Sequence, residues 1–120
     1  MPGRTVYTPR AAREAISSTS VKGNPGQVNY AAAKAALIGF TTTLAKEAAR
    51  KNITVNCIAP GATDTEMFLA VPPEIKAGAE RSCPMQRLAR PQEQAEVIAF
   101  LASERASYLS GQWIPVSGAK

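Results

Sequence analysis

The order strand, helix, strand, helix, strand predicts an α/β fold: a parallel sheet with helices on both faces, a three-layer α/β/α arrangement. Three observations carry this. Residues 27–50 place apolar side chains at Tyr30, Ala33, Leu37, Phe40, Leu44 and Ala48, the spacing of one helix face. The run Ile53-Thr54-Val55-Asn56-Cys57-Ile58 is β-branched and mostly apolar, which suits a parallel strand buried on both sides. Pro91 fits the first turn of a second helix, Gln92 to Ala102, whose Ala95, Ile98, Ala99 and Ala102 share a side.

The remaining elements follow from punctuation. Residues 1–14 hold Pro2, Gly3 and Pro9 and no sustained period, so they read as an irregular segment ahead of a domain spanning 15–120. A short strand is expected from Ala15 to Ser17. Arg13 and Glu14 sit where a buried strand would otherwise continue, and burying two charges is costly, so the strand is expected to be cut short. Pro60-Gly61 ends the middle strand. The stretch from Ala62 to Pro84 reads as irregular, with a short helix near 73–80. Gly111 precedes a last strand, Gln112 to Val116. In such sheets ligands bind beyond the carboxyl ends of the strands. Ser18, Tyr30 and Pro60-Gly61 follow or flank those ends and are therefore expected on one edge.

Tyr30 and Lys34 are the residues with chemistry. Four apart on a helix, they stack one turn above each other. An ammonium beside a phenol favours the phenolate, which lets a tyrosine trade a proton near neutral pH. This is acid–base equipment in a chain without histidine.

Composition narrows the alternatives. The chain has 120 residues, enough for one small domain. Its 14 basic and 9 acidic residues give a net charge of +5, with Arg4, Arg10, Arg13 and Lys22 crowded toward the start. The seven aromatics form no stripe among the basic residues, so nucleic acid is not an expected partner. Excess positive charge also suits phosphorylated cofactors and acidic carrier proteins. No segment approaches a membrane span. Cys57 and Cys83 form neither a metal pattern nor a disulfide framework, and Cys57 reads as core filling. No metal ligands are expected. The arginine-rich start raises organellar targeting, against which Glu14 and the lack of amphipathic period speak; a cytoplasmic setting is the expectation.

The wider pattern is Ile16-Ser17-Ser18, Gly23-Asn24-Pro25-Gly26-Gln27, Asn29-Tyr30-x3-Lys34 and Val55-Asn56-x3-Pro60-Gly61. It continues through Pro84-x2-Arg87-x3-Pro91-x-Glu93-x-Ala95, Phe100-Leu101-Ala102-Ser103 and Tyr108-Leu109-Ser110-Gly111-Gln112. It resembles the short-chain dehydrogenase/reductase family from about Ala15 onward, and among members most resembles 3-oxoacyl-[acyl-carrier-protein] reductases. The likeness covers only the family's C-terminal half. It implies the truncated C-terminal half of a Rossmann-like doubly wound parallel sheet, without the Gly-rich turn that holds a dinucleotide's phosphates.

That resemblance implies an NAD(P)H-dependent reduction of a carbonyl, such as a 3-oxoacyl thioester, to a hydroxyl. Tyr30 would exchange the proton, Ser18 would polarise the carbonyl, and Lys34 would support Tyr30 and hold the nicotinamide ribose. Family spacing back from Tyr30 lands on Ser17, whereas the Ile-Ser-Ser wording points to Ser18; Ser18 is taken, with Ser17 the alternative. Pro60, Gly61, Thr63 and Thr65 would join Tyr30 and Lys34 in contacting NADP or NAD, though weakly without the missing half. Arg87 and Pro91 read as structural, and Trp113 as core or interface. Helix 27–50 resembles the one that pairs between subunits, implying a homo-oligomer. The open half-sheet leaves a second possibility, a catalytically idle interaction module.

Overall fold

The computed structural model describes residues 10–120. Three parallel strands form the sheet in the order β1-β2-β3. They are β1 (Ala11–Ile16), β2 (Ile53–Pro60) and β3 (Trp113–Val116). The helices are α1 (Val28–Ala48), α2 (Glu66–Leu69), α3 (Pro73–Ser82) and α4 (Pro91–Ala102), with single 3-10 turns at Thr19–Lys22, Ala49–Lys51 and Glu104–Ala106.

The middle strand organises the layers. Thr54 through Ala59 are all buried, the expected signature of a parallel strand covered on both faces. Side chains alternate across a strand. Val55 packs with Ala45 and Ala48 of α1, while Ile58 packs with Leu101 of α4 and Ala106. Odd and even positions thus meet different helices, which places α1 and α4 on opposite faces and gives the three layers.

The start of the chain departs from expectation. β1 begins at Ala11, inside the segment expected to be irregular to residue 14, and pairs with β2 from Ala11 opposite Ile53 to Ile16 opposite Ile58. Arg13 and Glu14 do not shorten the strand, because β1 is an edge: Arg13 stays exposed and Glu14 half-buried. Arg10 fastens this strand. Its guanidinium donates to Thr54 Oγ1 and to the carbonyls of Leu101 (3.2 Å) and Ser103. The last carbonyls of a helix lack intrahelical donors, so Arg10 caps the end of α4. Residues 1–9, including Arg4 and most of the suggested targeting segment, lie outside the described residues.

Which face each helix buries also differs. On α1 the buried residues are Thr41, Ala45 and Ala48, whereas Phe40, on the expected apolar face, is 55% exposed. An alanine-rich helix carries no stripe strong enough to mark its inner side. On α4 the buried residues are Gln94 and Leu101, with Val97 and Ile98 packed beside them, and the alanines at 95, 99 and 102 face away. Bulk decides here: Leu101 reaches the sheet and alanine does not.

Among the described residues, no helix is long and apolar enough to cross a membrane. Leu101 is 1% exposed at the centre of the α4 cluster. Leu101→Ala is expected to lower stability by about 2–5 kcal/mol. The fully exposed Tyr108 provides the control, since Tyr108→Ala should stay within about 0.5 kcal/mol by urea unfolding.

Candidate active site

The carboxyl ends of β1 and β2 carry the residues singled out in the sequence. Ser17 and Ser18 follow β1, Tyr30 and Lys34 stand in the first two turns of α1, and Pro60 closes β2 just ahead of Gly61. Lys34 lies over the Tyr30 ring, its Nζ 5.7 Å from the centroid. The ammonium donates to the Ile16 carbonyl at 2.9 Å. Tyr30 is 45% exposed, and its hydroxyl has no hydrogen-bond partner among the described residues. A phenol free to meet a ligand therefore sits beside a held cation.

The two serines divide their work. Ser17, 2% exposed, donates from Oγ to the Lys34 carbonyl at 2.8 Å and so ties the end of β1 to α1. Ser18 caps the 3-10 turn that follows, its Oγ accepting from the Ser20 N–H at 3.1 Å. That bond uses a lone pair and leaves the Ser18 hydroxyl proton available, whereas the Ser17 proton is engaged. The turn then crosses the strand ends: Thr19 Oγ1 bonds the Pro60 carbonyl at 3.4 Å, and Lys22 reaches the Lys120 carbonyl at 2.8 Å and the Trp113 ring.

The loop after β2 is arranged by internal packing. A side chain at Gly61 would lie 2.9 Å from Ser117 Cα, so glycine is required where β2 and β3 close together, independently of any ligand. Thr63 Oγ1 donates to the Gly61 carbonyl at 3.0 Å. Gln94, buried in α4, reaches the Val116 carbonyl at 2.9 Å and Thr63 Oγ1 at 3.4 Å. Sequence reasoning missed Gln94, because a glutamine on a helix read by its alanines gives no inward signal. The Thr65 hydroxyl, by contrast, has no partner among the described residues.

Among the described residues the Tyr30 and Thr65 hydroxyls are free to meet a ligand, and the Lys34 ammonium is held between β1 and α1. No glycine-rich turn leads from a strand into a helix among the described residues, so a diphosphate finds no matching cradle there. No group of His, Cys, Asp and Glu suited to a metal ion occurs among them either. A cavity of about 240 Å³ lies beyond β3, lined by Ala62, Cys83, Met85, Arg87, Val116 and Lys120 among others; Ser18, Tyr30 and Lys34 do not line it.

Behind the loop, Arg87 and Glu93 form a two-pronged ion pair, 2.8 Å on both arms, and Glu93 Oε2 also accepts the Arg90 N–H at 2.8 Å. The structural reading of Arg87 and Pro91 thus holds at the start of α4. The Arg87 hydrogen bond, and next the Arg90 N–H, hold the Glu93 carboxyl down from 4.5 to about 2.

The chain matches, over residues 8–118, the family model described as Enoyl-(Acyl carrier protein) reductase. Nodulation protein G of Azospirillum brasilense is 48% identical over 104 residues, 86% of this chain and 42% of that protein. The 3-oxoacyl-[acyl-carrier-protein] reductase of Escherichia coli is 47% identical over 102 residues, 85% of this chain and 42% of the relative. The crystal structure of the corresponding reductase from Brucella melitensis superposes with a TM-score of 0.86 at 38% identity, covering 90% of this chain and 41% of that one. The chain spans about two fifths of the length of the relatives it matches.

A carboxylate with a lowered folded-state value stabilises the fold above its unfolded value, and that stabilisation is lost as pH falls toward the folded one. Glu93→Gln should therefore melt below the parent at pH 7. The gap should close between pH 4.5 and about 2, as read by thermal unfolding across pH.

Proposed function

The chain belongs to the short-chain dehydrogenase/reductase family, and from that premise we propose that it carries the proton-transfer end of an NAD(P)H-dependent carbonyl reductase. A 3-oxoacyl thioester on an acyl carrier is the substrate class suggested by its relatives, in a cytoplasmic setting. The observation that carries the reading is the Lys34 ammonium over the Tyr30 ring, beside a phenolic hydroxyl without a partner among the described residues.

A bound nicotinamide would supply the hydride. Tyr30 Oη gives its proton to the carbonyl oxygen as that oxygen gains charge, and Ser18 Oγ donates a hydrogen bond to the same oxygen. Lys34 Nζ lies 5.7 Å from the Tyr30 ring centroid, beside the group that gives up the proton. Tyr30 and Lys34 would hold the ribose of such a cofactor, and Pro60, Gly61, Thr63 and Thr65 would contact its nicotinamide end. Ser18 is preferred to Ser17 because the Ser17 proton already binds the Lys34 carbonyl. NADP or NAD binding is expected to be weak, since the described residues offer nothing to hold the diphosphate.

One observation favours a second reading, a catalytically idle assembly module. α1 leaves Val28 81% and Phe40 55% exposed on a helix that is apolar on most sides. Such helices are usually covered, so a homo-oligomer through helix 27–50 is part of this reading.

NADPH oxidation with a β-ketoacyl thioester separates the two. Tyr30→Phe is expected to cut turnover by about 10²–10⁴-fold, and Ser18→Ala to lower kcat with stability retained. Ser17→Ala should lower stability instead. A parent rate no higher than that of Tyr30→Phe contradicts the reductase reading and leaves the module.

A further inference from the structure

The cavity beyond β3, about 240 Å³ in volume, is walled by segments already fixed to one another. The Ala89 N–H donates to the Ala62 carbonyl at 3.0 Å, the Asp64 N–H to the Ala89 carbonyl at 2.8 Å, and the Gly61 N–H to the Val116 carbonyl at 3.0 Å. Ala62, Ala89 and Val116 line the cavity from this frame, and Ala79 of α3 joins them. Small side chains on linked backbone leave a space that is ready made, which spares a ligand the cost of ordering it.

Two sulfur-bearing residues complete the apolar wall. Cys83 is 7% exposed, and its Sγ lies 3.6 Å from the Ser117 carbonyl oxygen and 3.5 Å from that of Gly118. Met85 stands beside it, and both crowd Gly118. A side chain there would lie 2.6 Å from Cys83 Sγ and 3.4 Å from Met85 Cβ, at a φ of +63° that already favours glycine. Sulfur makes favourable contacts with the edge of an aromatic ring. Alanine, valine and sulfur offer little to hold ordered water, and an apolar cavity of about 150 Å³ is enough for benzene. The space here takes a ring and a short substituent.

Charge selects the substituent. Arg87 places both guanidinium arms on Glu93, so the charges of these two lining residues cancel. Lys120 also lines the cavity, and its ammonium bonds only Ser82 Oγ, at 3.3 Å, with no acidic side chain as partner among the described residues. A second ammonium is close by, since Lys22 Nζ lies 2.8 Å from the Lys120 carbonyl oxygen.

We propose that this cavity is a binding site for a small aryl monocarboxylate, its ring against Cys83 and Met85 and its carboxylate on the Lys120 ammonium. The site goes beyond the reductase reading and does not rest on it, because Ser18, Tyr30 and Lys34 do not line the cavity.

The probe is 4-fluorophenylacetate, followed by fluorine NMR with the whole chain. The corresponding fluorophenyl ethanol and ethylamine carry the same ring with no charge and with a positive one. Saturable binding is expected in the order acid, alcohol, amine. The acid should exceed the alcohol by about three- to fivefold, an advantage that shrinks in high salt and disappears in Lys120→Met. Bound acid should also slow labelling of Cys83 by a thiol-reactive disulfide, a readout in the parent chain that needs no variant. Ala79→Trp fills the space and should abolish binding of all three compounds. Absence of saturable binding, equal binding of acid and amine, or binding that leaves Cys83 labelling unchanged overturns the proposal. Binding lost in Tyr30→Phe overturns it too, because the ligand then sits at the strand ends, and the reductase reading is left intact.

Discussion

Burial of β2 on both faces is the constraint on which the rest depends. A strand covered twice must supply apolar side chains in both directions, and Val55, Cys57, Ile58 and Ala59 do so. Its polar members are buried only because each has a defined partner. Asn56, 1% exposed, donates to the Leu109 carbonyl at 2.9 Å and accepts from the Gln112 N–H at 3.2 Å. Thr54 receives Arg10, and the Val55 N–H donates to Ser110 Oγ at 3.1 Å. These bonds fix the turn that leads into β3 and the strand that precedes the serines. Once β2 is set, the neighbouring strand ends have little freedom in where they finish.

The site inherits its precision from that arrangement. Ser17 links the end of β1 to the α1 carbonyl at Lys34, so the helix turn carrying Tyr30 and Lys34 is referenced to the sheet. The Gly61–Ser117 contact brings the ends of β2 and β3 together, and Gln94 pins Thr63 from below. Ser18, Tyr30 and Lys34 stand at the strand ends, while the rigid bonds lie beneath them. The Arg87–Glu93 pair lies further back, at the start of α4.

Several features were legible because they depend on local chemistry. A β-branched run ended by Pro60-Gly61 announces β2, Pro91 announces α4, and the Tyr30–Lys34 spacing announces a shared helix face. Others depend on contacts far away in the chain. Arg10 caps a helix whose end lies 91 residues later, which no window around Arg10 can show. Arg13 and Glu14 read as strand breakers because the sequence does not say that their strand is an edge. The inner face of α1 was obscured by alanine, and the different hydrogen bonds of Ser17 and Ser18 are not written in the sequence.

The measurement that bears most directly on this account is native-state hydrogen exchange across the whole chain. If β2 is the element on which the others hang, the amides of Val55 to Ala59 should be the slowest. They should exchange only through global unfolding, while those of α2 and α3 open at lower free energy. Exchange at β2 as fast as at α3 would contradict the account, because the strand ends carrying the site would then have no fixed reference.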